Sequence, residues 1–336
     1  MGVYSGNRTL LGESTSVSSD HILELALEAQ RNDMNMFNAV IACDFTEAYN
    51  EAGLISLTEA EVSETKEKTK VGMIKKIKEF FKKIIEKIKT AVSNFIARIR
   101  NLIANDAKLL AKYKKYMNAD SLKDITLSSY RPIKKEISHD SLKDELESIR
   151  SIVSIIDGCS NKEDIDEKLE SMKKDSKEIY KLQGEDFDKA IFADKAEEDY
   201  EIGKHMDQVN IILSYVSNGK FAIDGINNVS KGIINELKKD QAAMKLDAKN
   251  SEDELEIAKL NAKYKLTGVL STSCSKYISV MCNAYSRALA AARKAFVQAG
   301  SKAEKKANGV NHEDAVLEFC LGEASDAYVE AALVSL

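Results

Sequence analysis

Residues 66–117 read KEKTKVGMIKKIKEFFKKIIEKIKTAVSNFIARIRNLIANDAKLLAKYKKYM. Ile74, Ile77, Phe81, Ile84, Ile88, Ala91 and Phe95 step by three and four residues. That spacing places side chains on one face of an α-helix. The line continues through Ile99, Leu102, Leu109 and Leu110, while Phe80, Ile85, Ile96 and Ile103 widen it beyond a coiled-coil seam. Lys75, Lys76, Lys78, Lys82, Lys83, Lys87 and Lys89 occupy the remaining surface. The pattern predicts one helix over about 66–116, on the order of 75 Å long if continuous.

The charge of this stretch sets it apart. Between Lys66 and Tyr116, sixteen Lys/Arg stand against four acids, a local +12 in a chain of net −5, so the rest carries −17. A basic amphipathic helix is embedded in an acidic protein. Its apolar face needs a cover: the rest of the chain, a second copy, or a membrane.

Working outward, the 336 residues hold a single proline, Pro132, and no tryptophan, with 44% hydrophobic residues. Proline is the strongest helix breaker, so its near-absence permits long helices, and the hydrophobic content is enough for a core. The expectation is an all-α, elongated bundle. A second very long helix is predicted over about 251–300, following Ser251-Glu-Asp-Glu. Its apolar line includes Leu255, Leu266, Leu270, Tyr277, Met281, Tyr285 and Phe296. Small residues mark it, among them Ser271, Ser273, Cys274, Ser275, Ala284, Ser286, Ala290 and Ala291. They would let a neighbouring helix approach closely, and the basic helix is expected to pack there.

The remaining segments divide as follows. Residues 1–17 lack helical period and read as an extended arm. Residues 18–118 form an N-terminal helical region, with a helix to about Asn50 ahead of the basic one. Residues 119–250 form a middle helical region. In it, 125–130 (ITLSSY) alone has β character, and Gly158 stops a first helix. Ser160 or Asn161 caps the next, which runs to about Gln183. The stretch 185–192 leads into a helix ending near Gly219, and another covers about 222–248. Glu197, Glu198, Asp199 and Glu201 read as a solvated helix face. Residues 301–336 comprise a polar linker to Gly309 and an acidic C-terminal helix.

Catalytic chemistry is not legible. His21, His139, His205 and His312 are never four residues apart, and there is no HExxH. Cys43, Cys159, Cys274, Cys282 and Cys320 form no CxxC pair and read as free thiols. Cys274 and Cys282, roughly 12 Å apart along one helix, read as buried small residues. No phosphate-binding glycine loop or calcium loop occurs. The expectation is a protein that is not an enzyme and has no catalytic residues, cofactor or metal. The basic helix is the candidate interaction element, carried by Lys75, Lys76, Lys78, Phe80, Phe81, Lys82, Lys83, Ile84 and Ile88. Three readings of it are open. It packs inside its own bundle or against copies of the chain, it binds a bilayer, or it meets DNA by non-specific electrostatics.

Three features together resemble virion structural proteins of large tailed bacteriophages. They are the arm Tyr4-x-Gly6-Asn7 with Leu10-Leu11-Gly12-Glu13, the run from Phe45 to Ala52, and KKIKEFFKKIIEKIKTAVSNFIARI from Lys75 to Ile99. The resemblance covers about the first third of the chain. It implies a helical, non-enzymatic protein of the capsid interior or tail, made in the host cytoplasm and partnered by other virion proteins and copies of itself. It further implies processing after Leu-x-Glu sites, of which Leu11-Gly12-Glu13 is the first, making Glu13 a candidate cleavage position.

Overall fold

A computed structural model describes residues 36–37, 39–41, 43–45, 66–135, 150–169, 191–193, 195–246 and 253–308. The proposed arm, the Glu13 site and the C-terminal acidic helix lie outside the described residues.

Among the described residues the protein is an all-α bundle with two long helices and one small sheet. Helix α1 spans Lys66–Asn105. After a bend at Asp106 come α2 (Ala107–Tyr113), a 3-10 turn (Lys114–Tyr116) and α3 (Ala119–Leu122). Strand β1 (Thr126–Tyr130) follows, then helical segments 150–158 and 162–169, strand β2 (Glu197–Glu201), and helices α4 (Met206–Asn218), α5 (Lys220–Ala243) and α6 (Glu254–Asn308). Helix α6, with 55 residues, is about 80 Å long.

Helix α6 is the central element. Helices α1, α4 and α5 all pack on it, and α1 also packs on α5. From Leu260 to Gly300 its residues are buried on nearly every side, as expected of a helix surrounded by neighbours. Ala262, Ser271, Ser273, Cys274, Ala284, Ser286, Ala288 and Ala292 are among its buried positions. Small side chains there shorten the distance between helix axes. Phe37 and Phe45 tie the described residues ahead of α1 to both long helices: Phe37 packs on Phe95 with centroids 6.1 Å apart, and Ser271 Oγ donates to the Phe45 carbonyl at 3.0 Å.

The predicted bounds need four corrections. First, the basic helix is not continuous to Tyr116. Asp106 adopts φ −81, ψ 0 between α1 and α2. Backbone bonding crosses the bend, Asp106 N–H to Leu102 O at 3.2 Å and Leu110 N–H to Asp106 O at 2.9 Å. Second, α6 does not stop at Gly300, and 301–308 is helix rather than linker. Gly300 is a packing residue: a Cβ there would stand 2.5 Å from Tyr113 Cγ. Third, Glu197–Glu201 is a strand. With Tyr200 as its single apolar side chain, it has no helical face to bury. It pairs antiparallel with β1, Leu127 opposite Tyr200 and Tyr130 opposite Glu197. Tyr200 there lies against Tyr130 and stacks on His205, centroids 5.0 and 4.7 Å apart. Fourth, α4 begins only at Met206. Gln208 fixes its start to the segment after β1, accepting from Tyr130 Oη and Ile133 N–H and donating to the Ile133 carbonyl at 2.9 Å.

Other boundaries match. Asn161 caps 162–169 by accepting from Asp164 N–H at 2.8 Å. Gly219 ends α4 in the left-handed region, φ +61, against Ile99 and Ile103 of α1.

Two glycines give opposite expectations. Gly300→Ala gains up to about 1 kcal/mol in helix propensity, but its methyl meets the base of the Tyr113 side chain, an overpacking cost of about 1–3 kcal/mol. Gly232→Ala in α5 has nothing within 4 Å of the new Cβ. Urea denaturation should find Gly300→Ala destabilised and Gly232→Ala stabilised by about 0.5–1 kcal/mol.

Candidate functional site

The candidate element is α1. Its sequence dictates two faces, and the bundle treats them oppositely. Ile77, Phe80, Phe81, Ile84 and Ile88 are all 0% exposed, and Ile74, Ala91, Val92, Phe95 and Ile99 are buried beside them. Phe80 and Phe81 meet edge to face at 5.5 Å. Of the nine residues proposed for interaction, Phe80, Phe81, Ile84 and Ile88 therefore belong to the core. Burying each such side chain stabilises by about 1.5–3 kcal/mol.

The five lysines of that set lie outside. Lys75, Lys78 and Lys82 are exposed, and Lys76 and Lys83 are half-buried at the edges of the contact. Lys89 and Arg100 extend the exposed face. The edge cations have specific neighbours. Lys76 Nζ stands 5.3 Å over the Tyr264 ring, Lys87 Nζ is 3.3 Å from Asp44 Oδ1, and the Arg98 guanidinium lies 4.9 Å over Phe37.

The helix against which α1 packs is also basic: ten Lys/Arg and three acids over Glu254–Asn308. The charge balance between α1 and the remainder is thus not made at the α1–α6 contact. Apolar and small faces meet there, and α1's exposed lysines point away from it.

Among the described residues, buried charge includes three clusters that the sequence did not single out. Asp106 and Arg293 form a forked pair, Nε to Oδ2 at 2.7 Å and Nη2 to Oδ1 at 2.9 Å, with side chains 8% and 3% exposed. A cavity of about 10 Å³ beside the pair, lined by Leu109, Leu110, Val216, Phe296 and Val297, has room for about one water. A second cluster joins segment 150–158 to α5. Arg150 Nη1 reaches Glu236 Oε2 at 2.7 Å and Asp240 Oδ1 at 2.9 Å, and Lys239 Nζ reaches Glu236 Oε1 at 2.7 Å. In the third, Lys263 of α6 binds Asp157 Oδ1 at 2.6 Å and the Met244 carbonyl at 2.9 Å. Lys259 donates to the Asp157 carbonyl at 3.0 Å.

One signal for the first pair was available. The apolar line steps from Leu102 to Leu109 and skips 106, where an acid faces inward. Arg293 sits among alanines, with no local clue to its burial.

Burial sets the titration of these groups. It pushes the Asp240 carboxyl up to about 7 against the pull of Arg150, and its Oδ2 is buried without a hydrogen-bond partner. Burial also opposes the charge of Glu236, but bonds from Lys239 and Arg150 outweigh it and hold that carboxyl low. Cys274 and Cys282 are buried, and burial pushes the Cys282 thiol up. Cys43 is exposed and Cys159 half-buried, while Cys320 lies outside the described residues. Of the histidines only His205 is described, exposed and stacked on Tyr200. Among the described residues no group of three or more His, Cys, Asp or Glu could hold a metal, and no helix is long and apolar enough to cross a membrane.

Asp106→Ala should cost about 3–5 kcal/mol, because the buried Arg293 guanidinium would lose the carboxylate that forks to it, and Asp106→Leu with Arg293→Met should recover most of it. A double-mutant cycle by chemical denaturation reads both. For Asp240 the sign follows from linkage. The folded state keeps a proton up to about pH 7 that the unfolded chain releases near pH 4. Its contribution to stability is therefore present at acid pH and lost as pH rises toward 7. Urea unfolding between pH 5 and pH 8 should show wild-type stability falling relative to Asp240→Asn, by up to roughly 3 kcal/mol.

Compared with protein-family models, with curated proteins and with solved structures, the chain matches none.

Proposed function

We propose that this chain is a non-enzymatic structural protein that assembles or packs within a tailed-phage particle. It acts by helix-to-helix contact and by charge. One observation carries the reading: a helix whose central apolar line is buried in its own bundle while Lys75, Lys78, Lys82 and Lys89 are held outward. Such a helix is a stiff, pre-ordered spine presenting charge to partners in fixed positions. Its partners on this reading are other virion proteins and copies of itself. The reading also rests on the resemblance of Lys75 to Ile99, Phe45 to Ala52 and the N-terminal arm to virion structural proteins.

The rival is a membrane-active protein whose basic helix leaves the bundle and inserts. The amphipathic pattern supports it. Magnitudes weigh against it. Withdrawing Ile77, Phe80, Phe81, Ile84 and Ile88 from the core exposes them before a bilayer can cover them again, a barrier on the order of 10 kcal/mol. That is the size of a whole domain's stability.

Two measurements separate the readings. Mass spectrometry of gradient-purified particles from the producing virus should find the chain in the virion, with Ser14 as its first residue if processing follows Glu13. Its absence from particles would overturn the proposal. Purified protein should leave dye-loaded anionic liposomes intact, whereas strong, salt-sensitive leakage would favour the rival.

A further inference from the structure

We propose that the exposed face of α1 is a docking surface for the phosphate backbone of double-stranded DNA. This deepens the assembly reading by naming a partner, and it rests on that reading for its setting only. Lys75, Lys78, Lys82, Lys89 and Arg100 are all exposed and lie within one broad face of α1, and Lys108 carries the face beyond the bend. From Lys75 to Arg100 the row spans about 38 Å, close to one turn of duplex. Glu86 is the single exposed acid among residues 74–100.

Three features favour a polyanion. The surface is local: the chain as a whole is −5, so net charge cannot hold it to an anion. It is rigid, because the opposite side of the helix is locked in the core through Phe80, Phe81, Ile84 and Ile88. And it is predominantly ionic: Phe80, Phe81, Ile84 and Ile88 are turned inward, and Val71 is the one large apolar side chain of α1 exposed beside the lysines. Lysines predominate over arginine along the row, a chemistry that binds phosphate as point charges and does not read base edges. The expected binding is independent of sequence and steeply dependent on salt, because each contact releases a condensed counterion.

The test is fluorescence anisotropy of the full-length protein with a labelled duplex of about two turns, from low to physiological salt. With about five phosphates neutralised, the log–log salt slope should lie near −4.5. The triple variant Lys78→Gln, Lys82→Gln, Lys89→Gln should lose at least about tenfold in affinity at low salt and reduce the slope by about 2.7. The control triple Lys220→Gln, Lys231→Gln, Lys238→Gln removes the same charge from exposed positions on α5 and should keep both values. Thermal unfolding of the two triples checks that each retains its fold. No binding at low salt overturns the proposal, and so does an equal loss in both triples. Retention of vesicles of phosphatidylserine and phosphatidylcholine without duplex binding overturns it in favour of a membrane surface. Duplex binding is read on purified protein, so its failure leaves particle membership standing, and absence from particles leaves this result intact.

Discussion

Everything in this molecule depends on covering one apolar face. Helix α1 carries isoleucines and phenylalanines from Ile74 to Ile103, and they need burial. The chain meets that need internally by laying α5 and α6 along the face. The rest of the arrangement follows. Helix α6 must accept several neighbours at once, and alanine, serine and cysteine stand among its buried leucines and aromatics. Gly300 admits the Tyr113 ring, and Gly219 turns α4 into α5 where Ile99 and Ile103 leave no room for a Cβ. Because one half of α1 is committed to the core, the lysines of the other half have a fixed direction. An amphipathic pattern that in isolation reads as surface-seeking becomes a rigid charged edge.

The buried ion pairs act on a different level. Replacing such a pair by well-packed apolar residues is often neutral or stabilising, so these are poor candidates for the main source of stability. They do link distant parts of the chain. Asp106 meets Arg293, Arg150 meets Glu236 and Asp240, and Asp157 meets Lys263. Each joins segments that apolar contact alone could let slide by a turn. Helices lined with small side chains offer few large knobs to set their register, and a charge in the wrong place costs several kcal/mol. Asp106 also stands at the break between α1 and α2, so its carboxylate meets Arg293 from that junction.

The helical class and the two long helices were legible because their periodicity is strong and a single proline interrupts the chain. The inward side of α1 was legible for the same reason: 74, 77, 81, 84, 88, 91 and 95 are all buried. What failed was local. Gly300 looked like a stop signal, but tertiary packing rather than capping explains it. The acidic run 197–201 looked like a solvated helix: its partner 125–130 showed β character, but pairing with a segment about seventy residues away leaves no mark in 197–201 itself. The bend at Asp106 was hidden by helix-forming neighbours on both sides. The lysines were identifiable as the outer face, but their phenylalanine and isoleucine companions had been grouped with them as one surface. Periodicity separates the two faces, and the packing of α5 and α6 makes the apolar one core and not contact surface.

The most direct test of the spine is hydrogen exchange of the full-length protein at concentrations where it is monomeric. Amides of 74–99 and 260–300 should exchange together, at the slow rate set by global unfolding, since their side chains share one core. Fast or independent exchange across 74–99 while 260–300 stays protected would mean that α1 is held by something other than its own chain.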